Sequence, residues 1–267
     1  MLLAIDVGNT QTVIGLYGLD DGPEPVGTGA ERDLLDHWRI ATSAERTSDE
    51  LALLVQEFLG FHGFSFDEDV DGVALCSSVP SITAAVREMC ERYFGFSAMV
   101  VEPGVKTGMP ILYDNPRQVG PDRIADALAA FDLYGGPTIV VDFGTATTLE
   151  AISSKGEYLG GSILPGIEIS LDALYGRAAA LFRVELLEPR SVIGKNTAES
   201  IQSGAIYGFA AQVDGICARM VKELGEATVV ATGGLAGLIS PFSEAIHYHE
   251  PWLTLHGLRL IFEKNRP

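Results

Sequence analysis

Two aspartates constrain this chain more than any other feature, each ending a short apolar run and each followed by a glycine-centred turn. The first stands in Leu2-Leu3-Ala4-Ile5-Asp6-Val7-Gly8-Asn9-Thr10-Gln11-Thr12. The second stands in Thr138-Ile139-Val140-Val141-Asp142-Phe143-Gly144-Thr145-Ala146-Thr147-Thr148. Both read apolar run, Asp, apolar residue, Gly, then a threonine six positions past the aspartate and a second apolar run. They lie 136 residues apart in a chain of 267, one in each half. A strand–turn–strand unit of this kind sets backbone N–H groups, hydroxyls and one carboxylate at a tight turn, the parts that cradle phosphates and position a divalent cation. A single copy is more often a plain hairpin, because Asp, Gly, Asn and Thr are ordinary turn formers. Two copies at half-chain spacing, with the aspartate in the same place, point instead to two phosphate loops facing each other across a cleft.

The length suits two domains of about 130 residues each. A formal net charge of −18 excludes nucleic acid and anionic membranes as partners for most of the surface. Any phosphate site must therefore be built locally, from backbone N–H groups, a metal ion and a few placed cations. The apolar runs are too short and interrupted for a membrane-spanning helix, and the N-terminus begins a strand with no export signal. Cys76, Cys90 and Cys217 are widely spaced with no CxxC pair, which reads as reduced thiols of a cytoplasmic protein.

Residues 2–6 and 12–17 read as a hairpin, followed by a polar, acidic loop over 18–29. An extended stretch resumes at Trp38. Thr47-Ser48-Asp49-Glu50 is a capping box ahead of a helix. A buried strand over 72–80, ending in a small polar turn, precedes a helix capped by Ser81, with Ile82, Val86, Met89 and Tyr93 on one face, and Met99-Val100-Val101 is a further strand. The second half repeats the theme: a helix after Gly120-Pro121-Asp122-Arg123, a hairpin over 138–152, and a capping box at Asn196-Thr197-Ala198-Glu199. A long helix follows that box, striped by Ile201, Ala205, Phe209, Val213, Ile216, Met220 and Leu224. A strand over 228–232 then ends in Gly233-Gly234 and stands to the second half as 73–80 stands to the first. The division is expected near 113–118, giving domains 1–115 and 116–267. His247-Tyr248-His249 has metal-like spacing without an evident third ligand and reads as a surface strand.

At this point the residues resemble the type III pantothenate kinases, within the acetate kinase, sugar kinase, Hsp70 and actin superfamily. The resemblance is carried by Asp6–Thr10, Gly120–Arg123, Asp142–Thr148, Gly160-Gly161-Ser162-Ile163-Leu164-Pro165-Gly166 and Ile193–Gly204, in family order and nearly end to end. Pro121 and Phe182 depart from the family's usual Ala and Pro; neither change removes a titratable or phosphate-binding group. The resemblance implies an α/β fold of two similar ribonuclease H-like, actin-like ATPase domains flanking a central nucleotide cleft. It implies ATP-dependent phosphorylation of the primary hydroxyl of pantothenate, the first step towards coenzyme A.

Phosphoryl transfer needs in-line positioning, charge neutralisation and a proton acceptor, and this chain offers them without a Walker A loop. Asp6 is the candidate for Mg²⁺ beside the ATP phosphates. Val7, Gly8, Asn9, Thr10, Gln11, Thr12 and Val13 form the first phosphate loop, and Gly144 and Thr145 the second. By resemblance Asp142 carries a monovalent cation, K⁺ or ammonium. Asp122 matches the aspartate of the family's Gly-x-Asp-Arg motif and is the candidate general base; in isolation it would read as a helix cap. Tyr113, Gly120, Pro121, Asp122, Arg123 and Thr197 match substrate-side positions, with Arg123 able to give charge-assisted hydrogen bonds or an interdomain salt bridge. Gly233-Gly234 reads as facing adenine or ribose, or as a tight turn. The resemblance favours a homodimer whose pocket is completed by the partner. A kinase of the same superfamily acting on another small alcohol, or a nucleotide-gated regulator without turnover, remain the alternatives.

Overall fold

Short, nearly continuous apolar runs make β1 (Leu2–Val7) and β2 (Gln11–Tyr17) an antiparallel hairpin, and β3 (Leu34–Ala41) extends it. The computed structural model describes residues 1–19, 28–65 and 68–266, so the acidic loop expected over 18–29 lies mostly outside the described residues. α1 (Ser48–Gly60) opens on the capping box read from the sequence: the Glu50 N–H donates to the Thr47 hydroxyl and the Thr47 N–H to the Glu50 carboxylate. β4 (Gly72–Ser77), α2 (Pro80–Met89) and β5 (Met99–Val100) follow. The strands form one sheet in the order β3-β2-β1-β4-β5, with β4 parallel to β1.

Two expectations for α2 need correction. Ser81 is not its cap: Val79 holds that position without a side-chain bond, and Pro80 is the first helical residue, where its fixed φ and missing N–H are tolerated best. Tyr93 does not share the face of Ile82, Val86 and Met89. It lies beyond α2 in the π-helical turn Cys90–Phe94, where the wider winding rotates it away, and its hydroxyl donates to Asp49.

The remaining elements are α3 (Pro121–Tyr134), β6 (Thr138–Phe143), β7 (Ala146–Ile152), β8 (Tyr158–Pro165), α4 (Ile167–Arg177), α5 (Thr197–Leu224), β9 (Thr228–Thr232), α6 (Ala236–Ile239), β10 (Tyr248–His249) and α7 (Leu253–Asn265). The chain forms two compact units. One comprises Met1–Met109, Asn115–Ala129 and the residues from Trp252 onward; the other comprises Pro110–Asp114 and Ala130–Pro251.

In the first unit strand alternation gives the sheet two buried faces. Leu3, Ile5, Val7, Val73 and Leu75 pack on α1 and α2. Leu2, Ala4, Ala74 and Cys76 pack with Ala125 of α3 and with Leu255, Leu258 and Ile261 of α7. The second unit has its own five-stranded sheet, in the order β10-β9-β6-β7-β8, with β9 parallel to β6. Ile139, Val141, Phe143 and Leu149 pack on Ala205, Ile206, Phe209 and Val213 of α5. Strand for strand, β1, β2, β3, β4 and β5 correspond to β6, β7, β8, β9 and β10.

The second capping box is half made. The Asn196 side chain accepts the Glu199 N–H at 2.9 Å, but the Glu199 carboxylate turns to the Lys195 N–H and to Arg190. β10 is exposed, as expected of a surface strand, and His247 Nδ1 accepts the Val229 N–H beside it.

Candidate active site

Asp6 is the next-to-last residue of β1, and Val7 pairs with Thr12, leaving Gly8, Asn9, Thr10 and Gln11 to turn the chain. The Gly8 N–H donates to Gln11 O at 3.0 Å. Thr42, just past β3, pins this turn from the side. Its hydroxyl donates to Gly8 O at 2.8 Å and its N–H to Thr10 O at 2.9 Å. With that single hydroxyl proton committed, Thr12 is the donor in the 2.8 Å contact between the two threonine hydroxyls. Thr12 is buried, Gly8 and Val13 half-buried, and Asn9, Thr10 and Gln11 exposed.

Opposite Asp6 on the parallel strand stands Cys76, whose Sγ donates to Asp6 Oδ1 at 3.1 Å. Burial pushes the Asp6 carboxyl up to about 6; the thiol bond acts against the rise and the negative charge of Asp122 adds to it. Burial and the surrounding carboxylates also push the Cys76 thiol well up, so it stays a neutral donor. A carboxylate disfavoured by both desolvation and a like charge is one that a divalent cation would stabilise. Among the described residues no group of three or more His, Cys, Asp or Glu is arranged to hold a metal. Magnesium, which keeps several waters and shares phosphate oxygens, suits such a sparse site.

Asp122 lies half-buried in the first turn of α3, where its Oδ1 accepts the Arg123 N–H at 2.9 Å. Pro121 opens the helix, and the Ile124 N–H donates to Gly120 O at 3.2 Å. At that first position proline deletes no helical hydrogen bond, so the departure at Pro121 leaves the turn carrying Asp122 intact.

In the second unit Asp142 is again next to last in its strand, but Phe143 pairs with Thr147, leaving only Gly144, Thr145 and Ala146 in the turn. The Gly144 N–H donates to Ala146 O at 3.1 Å, and Thr145 O accepts the Gly166 N–H at 3.1 Å ahead of α4. Thr148 faces Asp142 across the hairpin and Thr232 faces it across the parallel pair; both are buried. Gly233 follows with φ +94°, and a Cβ there would stand 2.2 Å from Asp142 Oδ1 and 2.7 Å from the Phe143 backbone. Only glycine allows that approach, so Gly233-Gly234 wraps the end of β9 round the carboxylate.

Tyr113 is half-buried against Tyr158 of β8, ring centroids 6.2 Å apart. Thr197 is the first residue of α5 and, with Lys195, Ser200, Leu171, Leu174 and Phe209, lines a cavity of about 800 Å³. The site residues read from the sequence therefore divide between the units. Asp6–Val13 and Gly120–Arg123 belong to the first; Tyr113, Asp142, Gly144, Thr145 and Thr197 belong to the second. Within the second, the Asp142 turn, the Tyr113 seat on β8 and the Thr197 cavity are built on different elements. Sequence reasoning missed Thr42, Cys76 and Thr232, which touch or face the two turns through strand pairing rather than through any local motif.

Two α/β units of one topology, each with an aspartate and a glycine turn at the same end of its central strand, define the two-domain ribonuclease H-like fold of actin-like ATPases and sugar kinases. An ethanolamine utilization protein, EutJ, from Carboxydothermus hydrogenoformans shares this fold, with a TM-score of 0.52 at 15% identity over 97% of this chain and 89% of that one. The family model for type III pantothenate kinase matches residues 2–219. The type III pantothenate kinase of Streptomyces griseus is 56% identical over 273 residues, covering 99% of this chain and 98% of that protein. That of Thermobifida fusca is 54% identical over 270 residues, covering 99% and 100%. The chain belongs to the type III pantothenate kinase family.

Proposed function

We infer that the protein transfers the terminal phosphoryl group of ATP to the primary hydroxyl of pantothenate, giving 4′-phosphopantothenate for coenzyme A synthesis. The observation that carries this reading is the end-to-end likeness to type III pantothenate kinases in a chain that keeps Asp6, Asp122 and Asp142. Each half, 1–115 and 116–267, supplies one phosphate loop. In the first, Val7, Gly8, Asn9, Thr10, Gln11, Thr12 and Val13 approach the phosphates, with Thr42 holding the turn. In the second, Gly144 and Thr145 do so. Asp6 would hold Mg²⁺, which neutralises charge on the phosphate oxygens when bound. Asp142, set between Thr148 and Thr232, carries K⁺ or ammonium.

Asp122 accepts the hydroxyl proton of the acceptor as the new P–O bond forms. Its place in the first turn of α3, fixed by the Arg123 N–H, keeps one carboxylate oxygen engaged and leaves the other for that task. Tyr113, Gly120, Pro121, Arg123 and Thr197 form the acceptor side, where Arg123 supplies a cation for the pantothenate carboxylate. A second copy of the chain completes that side. The exposed apolar side chains Ile163, Phe182, Leu187, Val192 and Ile193 support such a homodimer. A cytoplasmic location is supported by the three free cysteines.

The test is product formation from ATP, Mg²⁺ and pantothenate in Na⁺ and then K⁺ buffer, with Asp122→Asn alongside. Turnover that needs pantothenate, rises with K⁺ and collapses in the variant is the expected result. Nucleotide binding without turnover in either salt would overturn the assignment.

A further inference from the structure

A buried carboxylate–phenol pair lies on the sheet face of the second unit that also carries Asp142. Thr148 opposes Asp142, and Glu150, two residues along β7, shares its face. Glu150 is only 1% exposed. Tyr158, the wholly buried first residue of β8, donates its hydroxyl to the Glu150 carboxylate. A bulge makes this possible. Ala151 pairs with Gly160 but Ile152 pairs with Tyr158, so Leu159 is skipped and Tyr158 is turned onto the Glu150 face. Without the bulge, Leu159 would occupy that face.

The same tyrosine carries the segment Pro110–Asp114. Its N–H donates to Pro110 O at 2.9 Å, and its carbonyl accepts the Leu112 N–H at 2.8 Å. Tyr113 then stands edge-on to the Tyr158 ring, planes 65° apart. It also covers Gly160, whose φ is +123° and where a Cβ would come within 3.3 Å of the ring. Phenol, glycine and bulge together leave Tyr113 one seat.

We propose that Glu150 and Tyr158 are positioning residues for the acceptor side of the reaction, fixing the orientation of Tyr113 and through it the affinity for pantothenate. This rests on the reading of Tyr113 as a pantothenate contact. A carboxylate buried in a sheet is costly unless hydrogen-bonded, and an apolar pair would fill the same space at less cost. What the polar pair adds is a single fixed orientation for Tyr158, the ring on which Tyr113 leans.

The test uses the full-length protein, with pantothenate and ATP varied separately and with hydrogen exchange read at the Leu112 amide. Tyr158→Phe should raise the pantothenate KM about tenfold and speed Leu112 exchange, while kcat and the ATP KM stay within about twofold. Glu150→Gln keeps an oxygen acceptor for the phenol, so its pantothenate KM should rise less than that of Tyr158→Phe. If loss of the phenol beside the buried carboxylate unfolds Tyr158→Phe, the double change with Glu150→Leu removes the whole pair and should show the same pantothenate-specific rise. An unchanged pantothenate KM in a folded variant, or an equal rise for ATP, would overturn the proposal. Wild-type protein without pantothenate turnover would count against the function itself. Leu112 exchange needs no substrate, and unchanged protection in Tyr158→Phe would still overturn the positioning role.

Discussion

Asp6 faces Val13 across its hairpin and the Cys76 thiol across its parallel pair, whereas Asp142 faces two threonines, Thr148 and Thr232. One residue of turn length causes the hairpin half of that difference. Four residues separate Val7 from Thr12, but three separate Phe143 from Thr147. Because side chains alternate along a strand, that single residue moves the whole of β7 onto the opposite face relative to β2. The structural counterpart of Thr12 is therefore Thr147, and not Thr148, although Thr148 shares its distance from the aspartate in sequence. Two copies of one motif thus become two different carboxylate environments. Asp6 sits against carbon and sulfur, where a compact divalent cation that brings its own waters fits. Asp142 is paired with two threonines, residues that can offer oxygen donors, and that supports the larger monovalent cation proposed there.

The largest expected effect tests the asymmetry between the units at Asp122, which the first unit contributes and which bears on Asp6. Asp122→Asn should lower kcat about 10³-fold with the ATP KM unchanged. A loss below about tenfold in steady-state assays would place the proton acceptor elsewhere.

Asp6 comes next, through pH. Its pKa is raised from 3.8 to about 6 in the folded protein, so the folded state holds this proton more tightly than the unfolded chain does. The stabilising contribution is complete below pH 3.8 and is lost as pH rises through about 6. Without metal or nucleotide, the wild type should lose up to about 3 kcal/mol relative to Asp6→Asn between about pH 4 and 7. Denaturant unfolding of both proteins across that range reads the difference. A flat difference would mean that Asp6 is not desolvated.

Much of this architecture was legible because its signals are local. Apolar runs ending in Asp-x-Gly gave both hairpins, the Thr47 box gave α1, and the spacing from Ile201 to Leu224 gave the long helix α5. What escaped was set by pairing at a distance. Turn composition does not reveal whether three or four residues close a hairpin, so the shift between Thr12 and Thr147 was invisible. Cys76 reaches Asp6 only through the parallel register of β4, and α7 joins the first unit from the far end of the chain. Ser81 misled because a cap preference was read where Pro80 already begins the helix.

A smaller effect separates the residues that follow the parallel partners of the two aspartates. After Cys76 comes Ser77, whose hydroxyl bonds locally with Val79; after Thr232 comes Gly233 in a left-handed conformation against Asp142. Gly233→Ala should destabilise by about 2 kcal/mol or more through strain and displacement of the carboxylate, and should blunt activation by K⁺. Ser77→Ala should cost about 1 kcal/mol and leave the K⁺ response intact. Thermal unfolding with a K⁺ titration distinguishes them, and equal K⁺ responses would sink the contrast.

The finest test uses the structurally matched threonines. Both are buried, Thr12 at 2% exposure and Thr147 at 1%, yet only one is used. The Thr12 hydroxyl bonds to Thr42, which in turn holds Gly8. The Thr147 hydroxyl has no hydrogen-bond partner among the described residues. Valine keeps the shape of threonine and removes the hydroxyl. Thr12→Val should therefore cost about 1 kcal/mol and raise the ATP KM by loosening the first turn. Thr147→Val should be neutral or stabilising by about 0.5–1 kcal/mol, because it relieves the desolvation of an unpaired hydroxyl. Chemical unfolding and ATP kinetics measure both. If Thr147→Val destabilises as much as Thr12→Val, then Thr147 has a partner of its own, and the second turn is braced as firmly as the first.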